Sequence, residues 1–307
     1  TEAAVFSIPV ATYNTGDSAG TYSLITVTNS GSEELTQGSF QNVDLGPDTD
    51  LNTSMGNAAA TTTVNPVTIN VELDKVGREG EGGDLIIGGK ELDSDAGSAN
   101  QGNGISVFNI DVLGDATRLS NLGGINSTNN ALTTVNIATH ADFVSGTTHA
   151  SLTVRDGFAT GAGGPPKTYT SATGMETINA TSFLGDLNLG QDTAVLNVDT
   201  FTATGGGKVT YNASIDGTEK GTFVHTTGAA DDTLIFALDG DAVDTIGTAF
   251  TVDTGAGKDS VTVTMEPGVS YSTMNILHAA QTDYLEVRTG DDDDTVLINN
   301  YGTFNVE

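Results

Sequence analysis

Short stretches of this chain alternate strictly between apolar and polar residues, and this period of two restricts the fold more than any other feature. The stretches V-T-I-N-V-E-L (67–73), K-V-T-Y-N-A-S-I (208–215) and S-V-T-V-T-M (260–265) are the clearest cases. Successive side chains of a strand point to opposite faces, so alternation predicts half-buried strands. Further candidates, rich in Val, Ile and Thr and bounded by Gly, Asn, Asp and Ser, are 22–28, 105–113, 133–138, 151–155, 194–202, 222–225, 233–238, 248–253, 284–288 and 295–299.

Helical periodicity is almost absent, and only Met274–Asp283 is compatible with a helical turn or two. We therefore predict an all-β protein with many short strands in β-sandwich or partly solenoidal, β-roll-like sheets and almost no helix. The stretch G-A-G-G-P-P-K (161–167) is the clearest break, because paired prolines cannot continue a ladder. It predicts an N-terminal β region at 1–165 and a C-terminal β region at 166–307, with a long hairpin loop inside one domain as the alternative.

The charge of the chain excludes several classes of partner. Forty acidic residues face only ten basic ones, which gives a formal net charge of −30. Binding a nucleic acid backbone or an anionic membrane surface needs Lys and Arg, so neither is an expected partner. The sequence contains no run of eighteen apolar residues, so we expect no insertion into a membrane. Cysteine is absent, so no disulfide stabilises the fold.

One turn template recurs along the chain. It appears as T-G-A-A-D-D-T-L-I (227–235), T-G-A-G-K-D-S-V-T (254–262) and T-G-D-D-D-D-T-V-L (289–297). Each copy has Thr-Gly, three variable residues, Asp, Thr or Ser, and then an apolar β-former. A compact pair, E-G-E-G-G-D-L-I-I (79–87) followed directly by G-G-K-E-L-D-S-D-A (88–96), has Gly second and Asp sixth in both members.

This spacing suits a cation with oxygen ligands. Glycine lets the backbone turn with positive φ and point carbonyl oxygens inward, and the sixth-position Asp adds a carboxylate on the same side. Ca²⁺ takes about six to eight oxygen ligands, whereas no thiol or imidazole cluster is present for Zn²⁺. The turns therefore predict calcium sites, against the competing interpretation of ordinary solvated β-turns. The candidate ligands are Asp84, Asp93, Asp232, Asp259, Asp292 and Asp294.

The template resembles the nonapeptide G-G-x-G-x-D-x-U-x of RTX (repeats-in-toxin) proteins, in which U is apolar. The copy at 254–262 matches at four positions, which are Gly255, Gly257, Asp259 and Val261. Two other copies depart from the motif at the fourth position, where Ala230 and Asp292 replace Gly. The copies begin 27 and 35 residues apart instead of nine. This spacing favours isolated calcium turns on a larger β framework over a continuous β-roll.

A second stretch, T-G-M-E-T-I-N (173–179), looks like the G-x-E-T-[IV]-N segments of large bacterial surface proteins of the RTX and S-layer type. The two resemblances together imply a calcium-dependent extracellular protein that packs into a lattice or appendage on the bacterial cell surface. Its partners would be copies of itself, and a cell-surface polysaccharide is a second candidate partner.

We expect a secreted structural subunit that self-assembles with Ca²⁺. The alternative is a calcium-dependent adhesin module that binds a glycan or a surface. An enzyme is not expected. The stretch G-D-S-A-G (16–20) fits the G-x-S-x-G nucleophile pattern, but that elbow must lead from a strand into a helix and a strand candidate follows here. The four histidines are scattered, and no H-E-x-x-H motif is present.

Overall fold

A computed structural model describes thirteen stretches of the chain, and the structural statements below concern these residues. They are 5–7, 21–28, 68–74, 85–86, 107–117, 119–127, 132–156, 158–160, 175–192, 194–215, 222–238, 249–265 and 284–300. They form strands β1 Val5–Ser7, β2 Thr21–Thr28, β3 Thr68–Asp74, β4 Leu85–Ile86, β5 Val107–Leu113, β6 Ser120–Leu122, β7 Ile125–Ser127, β8 Thr134–Thr139, β9 Leu152–Val154, β10 Phe158–Thr160, β11 Thr177–Ser182, β12 Leu187–Leu189, β13 Val195–Leu196, β14 Thr200–Ala203, β15 Val209–Ile215, β16 Thr222–Thr227, β17 Thr233–Leu238, β18 Ala249–Asp253, β19 Ser260–Met265, β20 Tyr284–Arg288 and β21 Thr295–Asn300.

The strands confirm the predicted all-β class. Every strand candidate that alternation identified overlaps a strand, and a 3₁₀ turn at Ala141–Phe143 is the one helical element within the described residues. In that part of the chain no helix is long and apolar enough to cross a bilayer. The candidate helical stretch Met274–Asp283 lies outside the described residues, as does the predicted break at 161–167. The predicted boundary near 165 remains a prediction, and strands on either side of it pair with each other (β8 with β11, β9 with β12).

Two large sheets organise the strands, and their pairing is parallel apart from the antiparallel β1–β2 pair. Sheet A has ten strands in the order β1-β2-β3-β5-β8-β11-β14-β16-β18-β20. Sheet C has eight strands in the order β21-β19-β17-β15-β12-β9-β6, with β13 also pairing β15, and a small sheet B has the order β10-β7-β4. From β14 onward the chain alternates between sheets A and C, so each pair of strands is one coil of a parallel solenoid.

The core lies between the sheets and follows directly from the alternation. In β15, burial alternates residue by residue, and the inward side chains Val209, Tyr211, Ala213 and Ile215 are all buried. Successive coils keep these positions in register, so that Tyr211 is opposite Leu234. Each inward residue therefore packs on the equivalent residue of the next coil, which closes the core without helices.

The outer face of sheet A shows the same register through its side chains. The Asn109 Nδ2 group donates to Asn70 Oδ1 at 2.8 Å, and Asn136 Nδ2 donates to Asn109 Oδ1 at 2.8 Å. These three residues are in register on β3, β5 and β8. The amide ladder links strands that are far apart in sequence, and a slip by one residue would break it.

Candidate cation-binding turns

The three copies of the turn template occupy the same place in three successive coils. Residues 227–232 join β16 to β17, residues 254–259 join β18 to β19, and residues 289–294 join β20 to β21. Their following strands are in register, with Thr233 opposite Ser260 and Ser260 opposite Thr295. The copies are therefore stacked arcs and not isolated turns. The long spacings between the template copies, which favoured isolated turns over a continuous β-roll, are the lengths of whole coils.

The sixth-position aspartates link the arcs to one another. Asp259 Oδ1 accepts the main-chain N–H of Asp232 at 2.8 Å, across 27 residues of sequence. Asp294 Oδ1 accepts the main-chain N–H of Asp259 at 2.8 Å, across 35 residues. The structure thus brings three of the candidate ligands into one column, which we call the Asp column (Asp232, Asp259 and Asp294).

A fourth arc precedes these three, and the sequence analysis missed it. The stretch T-G-G-G-K-V (204–209) joins β14 to β15 and has the Thr-Gly start of the template, but Val209 replaces the Asp. The Val209 N–H donates to Asp232 Oδ1 at 2.8 Å. The Thr-Gly pair followed by three residues and an alternating strand was the available signal. A template defined by Asp at its sixth position does not include this arc, because Val209 stands there.

Glycine at the second position serves the stacking of the arcs. Gly255 and Gly290 have φ of 79° and 75°, which confirms the expected positive φ at this position in those two copies. A Cβ atom on Gly255 would collide with the Gly228 carbonyl oxygen of the preceding coil. That carbonyl accepts the Ala256 N–H at 3.1 Å. It therefore points along the stack and is engaged in the inter-coil ladder.

Several buried oxygen atoms of these arcs lack hydrogen bonds within the described residues. Asp232 and Asp259 are each 1 % exposed, although they lie in turns. Within the described residues, the Oδ2 atoms of both carboxylates and the buried Thr254 hydroxyl find no hydrogen-bond partner. These are therefore not solvated turn residues. Each carboxylate accepts one main-chain N–H through Oδ1, and burying its charge with Oδ2 unpartnered is still costly, so a proton or a cation at Oδ2 would be favourable.

Opposing effects also act on the pKa of the Asp232 carboxyl group. Burial raises the pKa of its carboxyl group above the ordinary value, and the charge of Asp259 raises it further. The Thr227 hydroxyl and the N–H groups of Val209 and Gly228 act in the opposite direction and lower the pKa. Burial has the largest effect, so the site as a whole disfavours the charged form of Asp232 relative to a carboxyl group in water.

The donor chemistry fits a hard cation, but the donor count is low. Two Oδ2 atoms and one hydroxyl are free within the described residues, whereas Ca²⁺ takes about six to eight oxygens. The Asp232 and Asp259 carbonyls accept the N–H groups of Ser260 and Thr295 and are used by the ladder. Among the described residues, no group of three or more His, Cys, Asp or Glu is arranged to hold a metal.

The other candidate ligands lie elsewhere. Asp292 is exposed at the fourth template position with φ of 97°, and it is not in the Asp column. Its backbone matches Gly257 at the same position, with φ of 115°. Asp84 and Asp93 lie outside the described residues, so their assignment remains a prediction.

Comparison of this chain with protein-family models, with curated proteins and with solved structures finds no match.

Proposed function

We propose that this chain is a secreted structural subunit that self-assembles into a calcium-dependent surface layer or extracellular filament on a bacterial cell. The observation that carries the proposal is the Asp column, in which two buried carboxylates in neighbouring coils each retain an unpartnered oxygen. Charges held there repel each other and destabilise the stacked arcs. A divalent cation would remove that penalty and tie one coil to the next.

The stabilisation expected from a bound cation follows from the thermodynamic linkage between cation binding and folding. A cation that binds the folded chain and not the unfolded one stabilises it by about 2.7 kcal/mol when its free concentration is a hundredfold above its dissociation constant. Extracellular calcium modules bind with dissociation constants of about 10⁻⁴ to 10⁻³ M. Folding of the C-terminal coils would therefore be favoured outside the cell, where calcium is abundant, and suppressed inside it.

The described end of the solenoid also supports self-assembly. Val296 and Ile298 on β21 point inward, in register with Val261 and Val263 of β19. They are 45 % and 46 % exposed, whereas Val261 and Val263 are completely buried. In the described residues β21 is the outermost strand of sheet C. An uncovered core and a free strand edge favour the addition of another chain.

The proposal is tested by negative-stain microscopy and thermal melting of the purified chain, in millimolar Ca²⁺ and after addition of EGTA. We expect ordered sheets, tubes or filaments with calcium, and their dissolution together with a lower Tm after chelation. Indifference to chelation would contradict calcium dependence. Dispersed particles that retain a soluble glycan would instead support the adhesin alternative.

A pair of double variants identifies the Asp column as the site. Replacement of Asp232 and Asp259 by Asn keeps the Oδ1 hydrogen bonds and removes both charges, so it should abolish the calcium-dependent rise in Tm. Replacement of the exposed neighbours Asp231 and Asp293 by Asn removes the same charge and should leave that rise intact. Equal calcium responses in the two variants would place the cation elsewhere in the chain.

A further inference from the structure

The fifth template position forms a second column at the surface, next to the Asp column. Its members in the four arcs are Lys208, Asp231, Lys258 and Asp293, and Asp186, just before β12, lies beside Lys208 in the preceding coil. All five are exposed. The strands that follow them are in register, so neighbours in the column are separated by one strand spacing of about 4.8 Å. The sign of the charge therefore alternates at every coil. We call this set the alternating column.

The backbone fixes this column in place. The Lys208 N–H donates to Asp186 Oδ1 at 2.9 Å, and the Lys258 N–H donates to Asp231 Oδ1 at 2.9 Å. The carboxylates thus bond to main-chain groups of the next coil. Among the described residues neither lysine ammonium group is engaged by a carboxylate.

The surface beside the column is flat. The third template position is occupied in three coils by Gly206, Ala229 and Ala256, and all three are exposed. Residues without long side chains let another backbone approach closely. In these three coils the residue two positions before the column member is small and exposed, so it does not wall off the column.

We propose that the alternating column is a lateral contact through which two copies of this chain associate side by side, antiparallel and displaced by one coil. The inference rests on the proposed function, because it requires that copies associate. A chain of net charge −30 repels its own copies over most of its surface. A column with both signs at a fixed spacing has a matching partner in a second column with the same spacing.

The register of this contact follows from the order of the charges. With antiparallel columns displaced by one coil, Asp186 faces Lys258 of the other copy and Lys208 faces Asp231 of the other copy. The twofold axis repeats both pairs, so four pairs of opposite sign form. Without the displacement, Asp faces Asp and Lys faces Lys, so that register is repulsive. The contact is isologous and closes as a dimer.

Sedimentation velocity at low ionic strength without calcium tests the contact separately from any lattice. We expect a dimer that dissociates as salt is raised, because exposed ion pairs are screened. Replacement of Lys208 and Lys258 by Asp leaves the main-chain hydrogen bonds in place and should weaken dimerisation by at least about tenfold. The control replaces Lys167 and Lys220 by Asp, which changes the net charge equally at positions outside the column.

A charge-swapped variant separates lost contact from lost fold. Replacement of Asp186 and Asp231 by Lys makes the first four positions basic, while the double lysine variant is acidic throughout. Each should be monomeric alone, and a mixture should form heterodimers that either one lacks. Should the swapped variant fail to fold by circular dichroism, the lysine variant and its control decide the question alone.

The outcomes distinguish this inference from the proposed function. A wild-type monomer at low salt, or a lysine variant that dimerises as wild type does, overturns the inference even where calcium produces sheets. Loss of dimers in the lysine variant but not in its control supports it. That result stands even when calcium produces no lattice, in which case the proposed function fails alone.

Discussion

Replacing His225 with phenylalanine should make the solenoid more resistant to acid. His225 lies on β16, is completely buried, and has neither ring nitrogen hydrogen-bonded within the described residues. Its ring packs among Phe236 at 5.0 Å, Phe250 at 5.2 Å and Tyr211 at 5.7 Å between ring centroids. These neighbours come from both sheets. Protonation would place an unpaired charge in the aromatic centre of the core.

The magnitude follows from the pKa of the imidazole. Burial lowers the pKa of His225 from its ordinary value of 6.5 to about 3. Between these two values the unfolded chain binds a proton that the folded chain does not, so stability is full above pH 6.5 and is lost as pH falls. One pKa unit corresponds to about 1.4 kcal/mol, so the loss is about 2 kcal/mol at pH 5 and about 3 kcal/mol at pH 4.

Asp232 acts with the opposite sign. Its pKa is raised in the folded state, so protonation on acidification favours folding and partly offsets the loss from the histidine. The offset is common to wild type and the His225→Phe variant. The difference between the two proteins in the free energy of unfolding at each pH therefore reports the effect of the imidazole alone. The pH profile of the wild type by itself combines both effects.

The assay is urea unfolding of both proteins at pH 7, 5 and 4, followed by circular dichroism. Hydrogen exchange of the β16 amides reports whether the coil around residue 225 opens first. We expect the variant to gain about 2 kcal/mol on wild type between pH 7 and pH 5. Parallel pH profiles for wild type and the His225→Phe variant would refute the reasoning.

Three further predictions concern the arcs. Gly255→Ala should cost about 2–3 kcal/mol by urea unfolding, because its Cβ would meet the Gly228 carbonyl of the preceding coil and its φ is positive. Gly228→Ala at the same template position meets only ordinary contacts and should cost less than about 1 kcal/mol. Asp292→Gly should raise stability by about 1 kcal/mol in thermal melts, because φ of 97° suits glycine, and Asp293→Gly should give no gain. Asp259→Ala leaves a buried N–H unpaired and should cost about 1–3 kcal/mol, while Asp259→Asn keeps that bond and should be more stable than wild type in EGTA.

The position of His225 illustrates what sequence patterns leave out. Alternation in the strand candidate 222–225 places His225 on the same face as Phe223, and that face is the buried one. The sequence gives no sign of the aromatic cluster around His225, because the rings in that cluster come from strands well separated from it in sequence. Only stacking of the coils makes them neighbours.

The sequence by itself determined the strands that the alternating stretches mark and which of their side chains point inward, but its strand candidates do not include β1, β4, β6, β7, β10, β11 or β12. It also determined where the three Asp-containing turns lie, because these features depend on local backbone geometry and on the period of two. The sequence pattern does not show that the strands pair in parallel, since parallel and antiparallel strands share the period of two. The tertiary structure alone decided that turns 27 and 35 residues apart would stack. Stacking buries Asp232 and Asp259 and leaves Asp293 in water, because a carboxylate's surroundings are set by the neighbouring coil and not by its neighbours in sequence.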